Sequence, residues 1–309
     1  MALSMDDKIA LAVIESRIDA ILPETYQDCY EDVQPTAMGS AALRFNRDGR
    51  VAWNEMWENF CDLAMAGGPP HKGTLLEPGA ATEIDAQPER YREVAKEICR
   101  GVHMVTDLEV HASPVDGWVR VACLTHGMAG WLLRAITMEN VAVRADAQTV
   151  DVPAAPHFRL DKEIKNVVTV VAKTTHYWLK HTSRPHQDAI ARLFETLSEE
   201  SALVVPATLT DHVVPDEDLF AATRAAETIR EATGLSASPH RYMGWLGIEC
   251  PNTRAAIWMM RAVVVSNVLS RREGAVLFVA INALQDPSGR AVSTATIGAY
   301  RLARARGVL

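Results

Sequence analysis

The residues best suited to chemistry lie in Ala66 to Gly73, AGGPPHKG. Gly67 and Gly68 free the backbone, the two prolines stiffen it, and the loop then presents His71 and Lys72. An imidazole exchanges a proton near neutral pH, and an ammonium holds an anion. Such a Gly/Pro loop beside a helix end suits a ligand-facing role. An ordinary rigid turn with two solvated side chains has the same composition. On the functional reading, His71 is the acid or base and Lys72 an anion contact.

Arg134 and Arg261 come next, each inside an otherwise apolar helical run, WLLRAITM and WMMRAVVV. A buried guanidinium has to be paired, because an isolated buried charge costs several kcal/mol. One outlet is a bound carboxylate or phosphate held bidentately. The other is an internal acid: Glu249 for Arg261, and Glu139 or Asp116 for Arg134. Cys123 and Cys250 end equivalent strands. Sites beyond the carboxyl ends of parallel strands commonly bind ligands, so these thiols join the substrate-binding candidates. His126 follows Cys123 by three residues. A free Cys is also a small buried hydrophobe.

His176, His181 and His186, with His157 upstream and His212 downstream, are the candidates for a metal. Their spacing argues against it. Five residues on an α-helix turn through about 500°, so His176 and His181 point roughly 140° apart. A buried polar cluster with Tyr177 and Trp178 is the alternative. No HExxH, GxGxxG, GxxxxGK[ST] or GxSxG occurs in the chain, which weakens dinucleotide, phosphate-loop and common serine-hydrolase readings and leaves the cofactor unknown.

The elements that must position these residues are organised around Gly244 to Asn267, GWLGIECPNTRAAIWMMRAVVVSN. The same anchors recur from Gly39 to Asp62 and from Gly117 to Asn140. In each copy a Gly opens a strand, a Trp follows in a helix (Trp53, Trp131, Trp258), and an Asp or Asn lies beyond it. The second and third copies also share Trp118 and Trp245, and Cys123 and Cys250. Asp62, Asn140 and Asn267 read as helix caps or loop contacts. Arg144, Arg271, Arg272 and Glu273 read as charges complementing a helix C-terminus.

Gly244 to Cys250 is short, apolar and bounded by Pro251-Asn252, as a strand is. Arg254 to Ser270 is apolar almost all round, as a buried helix is. AVLFVA, Ala275 to Ala280, suits a strand covered on both faces, with counterparts at Gly73 to Pro78 and Thr149 to Ala154. A helix precedes each copy: Met5 to Leu22, Pro88 to Val102 and Asp216 to Thr233. A helix joining two strands favours a parallel pair. The expected fold is therefore α/β, with three pseudo-symmetric helix-strand-helix-strand repeats, mainly parallel, in one assembly. The chain is expected to form one pseudo-threefold domain over 1–309. Repeat 1 covers 5–80, repeat 2 covers 86–155 and repeat 3 covers 216–283. A helical insertion fills 156–212, and a C-terminal helix fills 290–309.

Of 309 residues, 48% are hydrophobic, 23% charged and 6% aromatic, a globular profile. A net charge of −8 argues against general affinity for nucleic acid or an anionic membrane. The N-terminal stretch is an acidic amphipathic helix rather than a signal peptide, and no apolar run reaches the roughly 20 residues that span a bilayer. Five scattered Cys without CxxC spacing suit reduced thiols in the cytoplasm. The expected partner is a small anionic molecule, with neither nucleic acid nor membrane, and a homo-oligomer is left open. These residues point to a cytoplasmic enzyme acting on a small carboxylate-bearing substrate by acid–base chemistry, in hydrolysis or elimination, between repeats. A non-catalytic pseudo-symmetric binding or scaffold protein is the alternative. A metal-dependent enzyme using the His-rich insertion is the second.

Overall fold

The computed structural model describes residues 5–22, 43–57, 74–207 and 216–309. The chain divides into two compact units. A mid-chain unit comprises Val33–Ala191, and a terminal unit comprises Met1–Asp32 with Arg192–Leu309.

In the mid-chain unit, α2 (Ala81–Ala86) leads into α3 (Pro88–Thr106), which starts with Pro at its first turn. Tyr91, Val94, Ile98 and Val102 recur at helical spacing and are all buried. The helix stops at Asp107, which takes a left-handed conformation (φ 58°). The short β1 (Val110–Ala112) follows, then β2 (Trp118–Ala122), α4 (His126–Met138), β3 (Arg144–Asp146) and β4 (Thr149–Pro153). The sheet order is β1-β2-β4-β3, and every pairing is antiparallel. Val119 and Val121 of β2, with Val150 and Val152 of β4, are fully buried on the face that α3 and α4 cover. A π-helical turn, Leu160–Ile164, then α5 (Lys165–His176) and a second π-helical turn, Tyr177–His181, complete the unit with the start of α6 (Arg184–Glu200). Helix α5 packs across both α3 and α4.

The terminal unit repeats this plan with α7 (Asp216–Thr233), β5 (Trp245–Glu249), α8 (Thr253–Val264), β6 (Ser270–Glu273), β7 (Val276–Ala280) and α9 (Arg290–Arg306). Its sheet, β5-β7-β6, is again antiparallel, and an Ala237–Ile248 bridge stands where β1 pairs with β2. Helix α1 (Met5–Ile21) packs on α8 and α9.

The agreement between units reaches single hydrogen bonds. The Cys123 amide donates to the Gln148 carbonyl, and the Cys250 amide to that of Ala275. The Ala154 amide donates to Gly117, and the Ile281 amide to Gly244. Both glycines have positive φ, 86° and 70°. A Cβ on Gly117 would lie 3.0 Å from the Gly79 oxygen, and one on Gly244 would lie 2.9 Å from the Ala207 nitrogen. Asn140 and Asn267 sit at φ 59° and 61° after α4 and α8. The Asn267 side-chain Nδ2 donates to the carbonyls of Leu197 and Ser201.

The expected α/β fold of three repeats with mainly parallel pairing is therefore incorrect. Arg144, Arg271, Arg272 and Glu273, expected to follow a helix end as loop charges, instead lie in the strands β3 and β6. Asp146 pairs with Thr149, and Glu273 with Val276, so only two residues turn each hairpin. A two-residue turn reverses the chain and makes the pair antiparallel. Ala147 (φ 49°) and Gly274 (φ 56°) supply the positive φ. Each buried helix does join two strands running the same way, β2 and β3 or β5 and β6, but β4 or β7 lies between them. The described part of the first copy follows another plan. Phe45 bridges Val51, and Trp53 begins a helical stretch (53–57), whereas Trp131 and Trp258 lie well inside α4 and α8. Gly39 and Asp62 lie outside the described residues. Among those residues, no helix is long and apolar enough to cross a membrane.

The units differ on the sheet face away from the helices. In the mid-chain unit Asp151 of β4 is flanked in register by Arg120 of β2 and Arg144 of β3. Its oxygens accept from Arg120 at 2.7 Å, from Arg144 at 2.7 Å and from Ser113 at 3.0 Å. In the terminal unit Phe278 and Gly247 replace Asp151 and Arg120. There the Arg271 guanidinium lies 4.2 Å from the Phe278 ring and 4.3 Å from that of Tyr242. Arg271 and Arg272, expected at a helix end, are buried strand residues.

Burial works to raise the Asp151 pKa, but the hydrogen bonds from Arg120, Arg144 and Ser113 outweigh it and hold the carboxyl below its ordinary value. Its stabilisation is thus present above about pH 4 and lost as pH falls through the folded-state value. Asp151→Ala should cost roughly 3 kcal/mol of unfolding free energy at neutral pH, measured by urea titration. The two proteins should converge in stability as the solution is made strongly acid. A gap unchanged by acid would contradict this account.

Candidate functional site

The residues singled out in the sequence fall in different places. His71, Lys72, Gly67 and Gly68 lie outside the described residues. Arg134 is buried in α4 and donates to the Gly130 carbonyl of its own helix at 3.0 Å. Burial brings its guanidinium down to about 10. Arg261 is buried in α8. Of the acids expected beside them, Glu249 is exposed, and Glu139 accepts from Lys173 of α5 at 2.7 Å. Both members of that pair are buried.

Cys123 and Cys250 follow β2 and β5, which belong to antiparallel sheets, so the strand-end argument for a ligand there does not apply. Burial pushes both thiols up to about 12, far from the thiolate that a nucleophile or metal ligand needs.

What the structure does bring together is His176 and His181, whose Nε2 atoms lie 3.0 Å apart. The divergence expected for an α-helix does not occur because the chain leaves α-helical winding at His176. Tyr177–His181 is a π-helical turn. With i→i+5 hydrogen bonding, residues five apart return to the same face. The Trp57 ring meets His176 edge-on at 5.7 Å, and the Tyr177 ring lies 5.7 Å from His181. Burial is the main cause lowering the His176 pKa, and the nearby His181 and Lys180 add to it. His186 lies one turn into the next helix, half-buried.

A pocket of about 520 Å³ opens on this turn, in the mid-chain unit. His181, Lys180 and Arg184 line it together with Thr125, Thr182 and Gln187, and among the described residues no acidic side chain lines it. Gln187 fixes the turn by donating to the carbonyls of Trp178 at 2.7 Å and Thr182 at 3.0 Å. The Thr182 hydroxyl donates to the Tyr177 carbonyl. Thr125 caps α4 by accepting from the Met128 amide, so the positive end of that helix dipole borders the same space. Gly127 lets α4 start close against α6: a Cβ there would lie 3.0 Å from that of Ala191. The Arg184 partner, Asp188, is 3.7 Å away and exposed. The arrangement can hold a small anion beside an imidazole that has a second imidazole behind it.

Among the described residues, no group of three or more His, Cys, Asp or Glu is placed to hold a metal ion. The His176–His181 pair supplies two imidazole nitrogens only. Lys180 and Arg184 were not singled out from the sequence, although the cationic run KHTSRPH was there to be read. Comparison of the chain with protein-family models, with curated proteins and with solved structures finds no match.

The raised thiol pKa values have a direct consequence. At about pH 8, a pH at which an ordinary Cys is partly thiolate, iodoacetamide should leave Cys123 and Cys250 unmodified in the folded protein. The same residues should be labelled once denaturant is added, as read by peptide mass spectrometry. Rapid native labelling of either residue would contradict its burial.

Proposed function

We propose that the protein is an enzyme that holds a small carboxylate-bearing anion in the mid-chain pocket and acts on it by acid–base chemistry, in hydrolysis or elimination. The observation that carries this reading is the His176–His181 contact at the wall of a pocket whose charged lining, among the described residues, is cationic. Lys180 and Arg184 hold the anion, Arg184 through a fork that matches a carboxylate. His181, which borders the pocket, gives or takes the proton at the substrate. His176 is the positioning residue. It does not line the pocket, and it orients His181 through the shared Nε2 hydrogen bond.

The reading places the site within one unit rather than between repeats, and gives no role to His71 or Lys72. Cys99, Cys123 and Cys250 are free thiols, which supports a reducing, cytoplasmic setting. A second reading, metal-dependent catalysis, is favoured by one feature alone: two imidazole nitrogens converge. A non-catalytic anion-binding protein would use the same cations without turnover.

The test has two parts. First, Lys180→Ala together with Arg184→Ala should weaken acetate or sulfate binding by roughly tenfold or more, because two charge-assisted contacts are removed. Second, a panel of small carboxylate esters, amides and hydroxy acids is screened for turnover. His181→Gln should lower any activity found by roughly 10²–10⁴-fold. Unchanged turnover in His181→Gln would remove the mechanism. Anion binding without turnover across the panel would favour the binding protein. Activity restored only by added zinc, nickel or copper would favour the metal reading.

A further inference from the structure

His181 has two neighbours of different kinds. Its ring borders the pocket, and its Nε2 lies 3.0 Å from the Nε2 of His176. At that distance one ring donates and the other accepts. In the uncharged pair, the donor carries its proton on Nε2 and has a bare Nδ1. The acceptor carries its proton on Nδ1. One added proton on the donor's Nδ1 leaves the Nε2–H···Nε2 bond in place and makes it charge-assisted. A second added proton would have to enter the shared line between the rings, and would break the bond. The pair is built to store a single extra proton.

The surroundings decide when that proton is held. Lys180 of the π-helical turn and Arg184 of α6 face the pocket beside His181. His186 follows on α6, and the Asp188 carboxylate is drawn to Arg184. On α5, Lys173 is joined to Glu139. Trp57 and Tyr177 bring rings rather than charges to the pair. With the pocket empty of anion, this cationic surplus repels an extra proton. An anion lodged beside Lys180 and Arg184 reverses the local field and draws the proton in.

We propose that the pocket binds a small oxyanion together with one proton, which is stored on the His176–His181 pair. The inference rests on the anion pocket of the preceding section and adds the coupling. By linkage, the anion raises the pair's affinity for its proton by the same factor that the proton raises the affinity for the anion. Binding is therefore tightest on the acid side of the pair's titration and weakens above it. The extra proton is then in place for transfer to a bound substrate.

Sulfate is the probe, because it remains a dianion across the neutral range, so any linked proton belongs to the protein. Isothermal titration in two buffers of different ionisation enthalpy reads proton uptake directly, and repeating it as pH is raised reads the affinity. The expected result is uptake of up to one proton per sulfate, with affinity falling toward about tenfold per pH unit above the pair's titration. His181→Gln, which removes the imidazole at the pocket, should bring the uptake close to zero and flatten the pH dependence, whereas His176→Gln leaves one imidazole there and should keep proton uptake but move the pH at which affinity falls, with circular dichroism confirming the fold. Sulfate binding with no proton uptake and no pH dependence overturns the coupling and leaves the anion pocket standing. Absence of binding by both sulfate and acetate overturns the pocket as well. Where a Gln variant does not fold, the two-buffer result on the unmodified protein decides.

Discussion

Two residues of backbone set the architecture of each unit. Ala147-Gln148 in one, and Gly274-Ala275 in the other, turn the chain back within a two-residue loop. Such a loop admits only an antiparallel hairpin. Once β3 and β4 are locked in this way, β4 is placed to pair with β2 along its length, and α4 is held over the sheet by its connections on both sides. The same holds for β6, β7, β5 and α8. The turn is stabilised by packing elsewhere, since Ala147 has a Cβ and pays to occupy positive φ, at about 1–2 kcal/mol. Gly274 meets no such cost.

The duplicated framework separates what maintains packing from what is free to vary. Glycines at the start of β2 and β5, asparagines after α4 and α8, and the backbone amides of Cys123 and Cys250 keep their geometry in both units. The sheet face away from the helices does not. An Arg-Asp-Arg row in one unit is replaced by an arginine among aromatic rings in the other, around Gly247, where a Cβ would meet the Phe278 ring at 2.9 Å. Either solution satisfies a guanidinium, by charge-assisted hydrogen bonds or by ring faces. The last helix of the plan diverges as well. Lys165, Lys173 and His176 are charged or titratable positions on α5, and the π-helical turn that ends α5 has no counterpart at the end of α9, which closes at Gly307.

That turn is where the structure concentrates unusual chemistry. A π-helical turn costs backbone stability, and such turns are often found at functional sites. Here it aligns two histidines that an α-helix would hold apart, and swings Lys180 and His181 toward one opening. Gln187 and Thr182 hold the turn by hydrogen bonds to the carbonyls that its winding leaves available.

Much of this was legible in the residues themselves. The equal spacing of Gly117 and Gly244, of Trp131 and Trp258, and of Asn140 and Asn267 relates the two units without coordinates, but the same spacing at Gly39, Trp53 and Asp62 led to three repeats being expected, and Trp53, at the start of a helical stretch, does not follow the plan. The apolar runs at Thr149 and Ala275 are strands because β-branched and apolar residues there can be covered on both faces. Helix starts and stops at Pro88 and Gly234 follow from local capping. Pairing direction was not legible, because β3 and β6 are short, charged and indistinguishable by period from a loop. Only their partner β4 or β7, brought back by the turn, makes them strands. The buried ion pair of Lys173 with Glu139 and the meeting of His176 with His181 were equally hidden. Composition and period record which face a residue takes under one assumed winding, and tertiary packing is what decides whether the chain keeps that winding.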